Sequence, residues 1–251
     1  MRSLRRSLAV VAAVGVLAAV AVGGGTAATK HAQSGAFCFS GGIAAGQYAS
    51  ITVAGNCVMP AGQVTVVGNV TIRPGAVLNV ITHATLVVGG NVYVDDGGSL
   101  LLGCSPEVGC SFTTHDRIAK ALIAYNPASL IVHNAVIGSV VSNGGSNGVN
   151  CNFNPEIGSP NYTTFEDTQI KGMVTIVRYD SCWLGFIRNK VDGAVWLIDN
   201  TLADPDAMEV VTNFIVGNLE CYNNDPAPQL GDSGGEPNIV LGLKTGQCIG
   251  L

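Results

Sequence analysis

Along most of the chain, short runs of alternating β-branched and polar residues are centred on a glycine, and the same pattern keeps returning. The clearest copies are Asn189-Lys-Val-Asp-Gly-Ala-Val-Trp-Leu197 and Asn213-Phe-Ile-Val-Gly-Asn-Leu-Glu-Cys221. Residues 168–176, 134–141 and 238–242 share it, and earlier copies centre on Gly68 and Gly90. Anchoring glycines therefore fall at 68, 90, 138, 172, 193, 217 and 242, with spacings of 22, 48, 34, 21, 24 and 25. The 48-residue interval is about twice the others. The 34-residue one contains the turn-rich stretches Asn143-Gly-Gly-Ser-Asn-Gly and Asn150-Cys-Asn-Phe-Asn-Pro. A period in the low twenties, with period-2 alternation and Gly/Asn/Pro corners, is a solenoid signature. Leucine-rich repeats share the period, but there is no Leu-x-x-Leu-x-Leu consensus and no helical segment per repeat. The pattern predicts an all-β, single-domain parallel β-helix with three short strands and three corners per coil.

Alternation then assigns faces. Counting each anchor glycine as zero, position +2 reads Val70, Val92, Val140, Val174, Val195 and Leu219. Position −2 reads Val66, Val88, Val136, Ile170, Val191, Ile215 and Val240. Both columns are expected inside the coil. Lys244 breaks the +2 column in the last copy, where no further coil is expected to cover it. At −4, Asn189, Asn213 and Asn238 are expected in register as a ladder of side-chain amides. The outward +3 column reads Thr71, Tyr93, Val141, Thr175, Trp196 and Glu220, while Lys171 and Asp192 at −1 form an ordinary surface pair. Trp196 beside Thr175 and Glu220, with Tyr93 further along, is a candidate sugar-stacking strip, since aromatics offer an apolar face with a polar rim. The plainer alternative puts Trp196 beneath an inserted loop. An ice-binding face is excluded, because no outward threonine repeats on every coil.

Composition narrows the class. The 251 residues are 47% hydrophobic and 12% charged, with 33 glycines, which excludes a disordered chain, a coiled coil and a helical bundle. Arg2, Arg5 and Arg6 precede an apolar run from Leu8 to Val22 and then a small-residue stretch. This predicts an export signal over residues 1–28 and a β-helix domain over 29–251, with no membrane span after cleavage. Removing the signal leaves 9 basic residues against 17 acidic ones. So acidic a chain disfavours nucleic acid and anionic lipid as partners. All eight cysteines lie in the remaining part, and an even count behind an export signal reads as four disulfides. Their order leaves many pairings open. The preferred set is neighbour to neighbour: Cys38–Cys57, Cys104–Cys110, Cys151–Cys182 and Cys221–Cys248. Residues one coil apart are neighbours in a solenoid.

The repeat resembles the right-handed parallel β-helix of secreted bacterial proteins of uncharacterised function, over about residues 50–251. The tail from Asn218-Leu-Glu-Cys-Tyr-Asn-Asn-Asp-Pro226 to Gly242-Leu-Lys-Thr-Gly-Gln-Cys248 is its most specific part. The resemblance implies the fold and export. It carries no activity and no catalytic residues. The chain departs from the repeat in inserted loops near 104–125 and 143–166.

Three motifs look catalytic at first sight. Gly231-Asp-Ser-Gly-Gly235 matches the nucleophile loop of chymotrypsin-like proteases, but only 18 residues follow Ser233 and no histidine has the required context. Ser233 is therefore expected to be an inert corner residue. Val195-Trp-Leu-Ile-Asp-Asn200 echoes the Val-Trp-Ile-Asp-His stretch of pectate lyases, whose acid helps to hold calcium. Here an extra residue moves Asp199 to the other strand face, and the histidine is replaced by Asn200. The acid pairs Asp95-Asp96 and Asp204/Asp206 read as turn chemistry. Glu166 and Asp167, adjacent on an extended segment, are expected to point apart. His83 and His133 stand isolated in sequence, so no metal, cofactor or catalytic residue is expected.

These readings converge on a secreted, non-catalytic β-helix that is structural or binds extracellular glycan or cell wall. Its candidate contact residues are Tyr93, Thr175, Trp196 and Glu220. The rival is a polysaccharide lyase or glycoside hydrolase. A groove where several acids and a Lys or Arg converge from successive coils would favour that rival.

Overall fold

An extended chain must find partners for its backbone N–H and C=O groups. Here the strands find them in parallel neighbours one coil up and one coil down. The computed structural model describes residues 34–231 and 234–251. The expected export signal and Ser233 lie outside the described residues. The architecture is all-β, a parallel β-helix of about nine turns whose helical content among the described residues is one 3₁₀ turn, Pro106–Val108.

Three strand columns run its length. The first precedes the anchor glycines and includes Ala61–Val66, His83–Val88, Gln169–Ile170, Lys190–Val191 and Phe214–Ile215. The second follows them and includes Val70–Ile72, Val92–Val94, Val174–Val177, Val195–Ile198 and Leu219–Tyr222. The third is an eight-stranded sheet from Gly41–Gly42 to Met208–Val211, with Ser129–His133, Thr163–Glu166 and Leu184–Ile187 as consecutive members. Segments 103–116 and 144–162 interrupt the columns, and the second carries a short antiparallel pair, Phe153–Asn154 with Ser159–Pro160.

The inward columns form as the alternation implies. Val70, Val92, Val140, Val174, Val195 and Leu219 are fully buried, and each packs on its register partner in the next coil. One position differs. Ile137, not Val136, faces the core in its coil, in register with Ile118 and Ile170. The bend around Gly138 is one residue shorter than its neighbours: three positions separate Ile137 from Val140, against four from Ile118 to Leu122 and from Ile170 to Val174, so the count before Gly138 slips by one. The 48-residue interval holds two coils, with Lys120 standing where other coils have glycine. Lys120 N–H donates to the Gly90 carbonyl at 3.3 Å.

The glycine column exists because backbones nearly touch at that corner. A Cβ on Gly193 would lie 2.5 Å from the Gly172 carbonyl carbon and oxygen, and one on Gly217 would lie 2.6 Å from the Gly193 carbonyl oxygen. At these positions a Cβ would force the neighbouring backbone aside. Two other corners turn through a residue with positive φ: Asp167 (50°), Arg188 (54°) and Thr212 (58°) at one, Arg178 (55°), Asp199 (57°) and Asn223 (54°) at the other. After each such residue the coil needs donors and acceptors inside the bend. The expected ladder supplies them: Asn189 N–H and Nδ2 donate to Asn213 Oδ1 at 2.8 and 3.1 Å, and Asn213 repeats this with Asn238 at 3.0 and 2.8 Å. A second ladder, unanticipated, runs through Asn200, Asn224 and Gln247.

All four disulfides pair neighbour to neighbour as preferred, with Cα–Cα distances of 6.3, 5.7, 4.6 and 5.3 Å in chain order. Cys104–Cys110 closes the loop holding the 3₁₀ turn, and Cys151–Cys182 ties the 144–162 segment to the coil body. Lys244 is half-buried and its ammonium donates to the Leu251 carbonyl.

Asn213 tests the ladder. Its Nδ2 also donates to the Phe186 carbonyl at 2.6 Å, so Asn213→Ala strands buried partners on both sides. It should cost about 2–4 kcal/mol in denaturant unfolding, whereas Asn152→Ala on the exposed loop should cost within about 0.5 kcal/mol.

Candidate functional site

Two outward surfaces result from this register. On the second column, Tyr93, Ile123, Val141, Thr175, Trp196 and Glu220 form one continuous row, each the partner of the next across one coil. Tyr93 and Trp196 are half-buried, and Val141 is exposed. The Tyr93 hydroxyl accepts from Asn91 Nδ2 at 2.8 Å, and a Glu220 carboxylate oxygen accepts from Asn218 Nδ2 at 3.2 Å. A parallel row two residues further along carries Tyr125, Asn143, Val177, Ile198 and Tyr222. Beside it lies an open recess of about 370 Å³, walled by Tyr125, Asn126, Asn143, Arg178 and Asp180. There Arg178 Nε and Nη2 donate to Asn143 Oδ1 at 3.1 and 2.8 Å. Lys171 and Asp192 meet at 3.5 Å on the surface, a pair worth about 0–1 kcal/mol.

On the third column the outward face is covered. Val77, Leu101 and Ile131 form a small second core, and Ile81, Val108, Ile157 and Tyr162 pack over it from the intervening segments. At the rim of this cover the structure gathers groups that the sequence leaves scattered. His133 and Glu166 are register partners on adjacent strands, and Glu107 reaches them from the 3₁₀ turn. Their oxygens Glu107 Oε2 and Glu166 Oε2 stand 3.8 and 3.9 Å from His133 Nδ1. Arg188 comes from the next coil. Its Nε and Nη2 each lie 2.9 Å from an Asp167 oxygen, its Nη2 lies 3.1 Å from Glu166 Oε2, and it also pairs with Glu107 Oε1.

Glu166 and Asp167 thus converge, contrary to the expectation of opposed faces. The strand ends at Glu166, and the positive φ of Asp167 turns its carboxylate back onto the same guanidinium. His133 likewise is not isolated. Burial holds its pKa below the usual histidine range, opposed by the charges of Glu107 and Asp167. Glu107 is raised by burial and then by its hydrogen bond to Glu166, while the Asp167 hydrogen bond raises Arg188 further.

The remaining candidates sit as structural parts. Asp95 and Asp204 accept turn hydrogen bonds from Gly98 and Ala207 at 2.8 and 3.0 Å. Asp199 lies at a corner, bonded by Asn223 Nδ2 at 3.0 Å. His83 stacks on Phe112 with ring centroids 3.9 Å apart.

The fold therefore defines a disulfide-stapled parallel β-helix, with one open sheet face and one rim cluster of acids, arginine and histidine. No protein-family model matches the chain, and no curated protein or solved structure matches it.

The loop carrying Glu107 is anchored by Asp116, which is 1% exposed and accepts from Leu86 N–H at 2.6 Å and Thr114 Oγ1 at 3.2 Å. Burial pushes its pKa from 3.8 up to about 6. A carboxyl raised on folding costs stability when ionised, so this cost is absent below about pH 4 and complete above about pH 6. Stability should therefore fall through that window by up to about 3 kcal/mol from this group. In Asp116→Asn, chemical denaturation across pH 4–6 should show that slope largely removed.

Proposed function

We propose that the protein is an exported, non-catalytic β-helix that binds an extracellular polysaccharide, such as one of the cell wall. The four disulfides fit an oxidising, extracellular compartment, and no helix among the described residues is long and apolar enough to cross a membrane. The observation that carries the reading is the outward row from Tyr93 to Glu220. Coils stand about 4.8 Å apart, so Tyr93 and Trp196, four coils apart, offer stacking platforms about 19 Å apart on one flat face. Ile123 and Val141 supply apolar contact between them, and the Tyr125–Arg178–Asp180 recess supplies hydrogen-bonding groups at the edge. A long, flat, repeating ligand suits such a surface better than a small one, which needs enclosure.

The rival enzyme reading is favoured by one observation, the convergence of Glu107, Glu166 and Asp167 with Arg188. That cluster lies on the third column, and Arg188 already holds all three carboxylates. We therefore keep the binding reading.

The two adjacent residues Val195 and Trp196 separate fold from function. Val195→Asp buries an unpaired carboxylate among stacked aliphatics and should unfold the domain or nearly so. Trp196→Ala should keep a cooperative melt yet weaken, by about tenfold or more, binding to any polysaccharide retained on a glycan array. Product analysis of the same mixtures should show intact glycan. Release of shortened or unsaturated products would replace this reading with the enzymatic one, and retention of full affinity in Trp196→Ala would remove the strip.

A further inference from the structure

We propose that Glu107, His133 and Glu166 form a site for one divalent transition-metal ion, with zinc as the best match. The imidazole is the first argument. His133 is 2% exposed, both of its ring nitrogens are buried without a hydrogen bond, and Nδ1 faces two carboxylate oxygens at distances too long for one. A buried polar group left this way calls for a partner between the three residues.

The second argument is the spacing. One ligand atom from each residue lies within 4.8 Å of the others. A tetrahedral ion with bonds of about 2.0–2.2 Å sets its ligands about 3.4 Å apart, so the site closes with a contraction of about 0.5 Å at the 3.8 and 3.9 Å contacts and of at most about 1.4 Å between the two carboxylate oxygens. The elements permit it. His133 and Glu166 are held by adjacent strands, while Glu107 sits on a short turn, partly exposed, in the loop closed by Cys104–Cys110.

Charge is the third. Once the ion displaces the proton that Glu107 and Glu166 share, Glu107, Glu166 and Asp167 with Arg188 leave two negative charges, which a divalent ion neutralises. Arg188 need not leave, because it grips Asp167 with two nitrogens and takes Glu107 by Oε1, leaving Oε2 turned to His133; its one contact with Glu166 Oε2, at 3.1 Å, occupies one lone pair and leaves the other to the ion. Thr164 donates to Glu166 Oε1 at 2.8 Å and orients that carboxylate from behind. An imidazole with two carboxylates selects zinc or a neighbouring metal over calcium, which takes six or more oxygens. The fourth position is left to water. A cleft of about 330 Å³ lined by Ile81, Leu101, Glu107, Val108, Ile131 and Tyr162 adjoins it.

The test is calorimetric titration of untagged, chelator-treated protein with zinc chloride and with calcium chloride. The variants are Glu107→Gln and His133→Gln, and each is also followed by circular dichroism melting. The expected result is one zinc per chain, weaker by about tenfold or more in Glu107→Gln with its melt unchanged, and no calcium binding. The zinc-free melt of His133→Gln shows whether loss of binding there reflects a missing ligand or a missing fold. No zinc uptake by the native protein overturns the proposal. So does zinc binding of full strength in Glu107→Gln, which places the ion at another histidine, and so does calcium binding as strong as zinc binding.

Discussion

Everything in this molecule follows from the requirement that each coil repeat the one beneath it, about 4.8 Å away, closely enough for parallel strands to share hydrogen bonds. That spacing admits no mismatch inside. A valine must sit on a valine or a close aliphatic match, as Val174, Val195 and Leu219 do, because a void or a polar atom at that level has no water to turn to. At the corners the same demand is stricter. Gly172, Gly193 and Gly217 stack with no room for a Cβ, and the other two bends answer their own exposed backbone groups with amide ladders. The ladders are what allow a bend to be buried: Asn189, Asn200 and Asn213 are at most 2% exposed, yet their amide groups are hydrogen-bonded.

Outward residues are free of that demand, and there the columns differ. The second column stays open and stacks Thr175, Trp196 and Glu220 toward solvent. The third is roofed by segments 103–116 and 144–162, each held by a disulfide, so its outward residues form a second core with a charged rim. These insertions are the main departure from repetition among the described residues, and the Glu107–His133–Glu166 cluster stands at their edge.

What can be read in advance follows the same division. The inward columns, the Asn189 ladder, the disulfides that join one coil to the next and the outward row all obey one repeat, and repetition is visible in a single sequence. The slip at Val136 is hidden because the bend around Gly138 is one residue shorter than those above and below it, which the spacing of the glycines does not show. The second ladder escapes because Asn224 and Gln247 fall beyond the glycine-centred window, although Asn200, Asn224 and Gln247 keep spacings of 24 and 23. The rim cluster is legible in half. Corner residues Asn134, Asp167, Arg188 and Thr212 share positive φ, and aligning them sets His133 against Glu166 one coil apart. Glu107 carries no such signal, since its place depends on how a non-repeating loop folds back over the sheet.

The register of the coils is the claim on which both surfaces depend, and the cysteines record it covalently. Non-reducing peptide mapping of the native protein reads that record directly. The account predicts Cys38–Cys57, Cys104–Cys110, Cys151–Cys182 and Cys221–Cys248 and no other pair. A bond between distant coils, such as Cys38 with Cys248, would contradict the stacking order and with it the placement of Trp196 and His133.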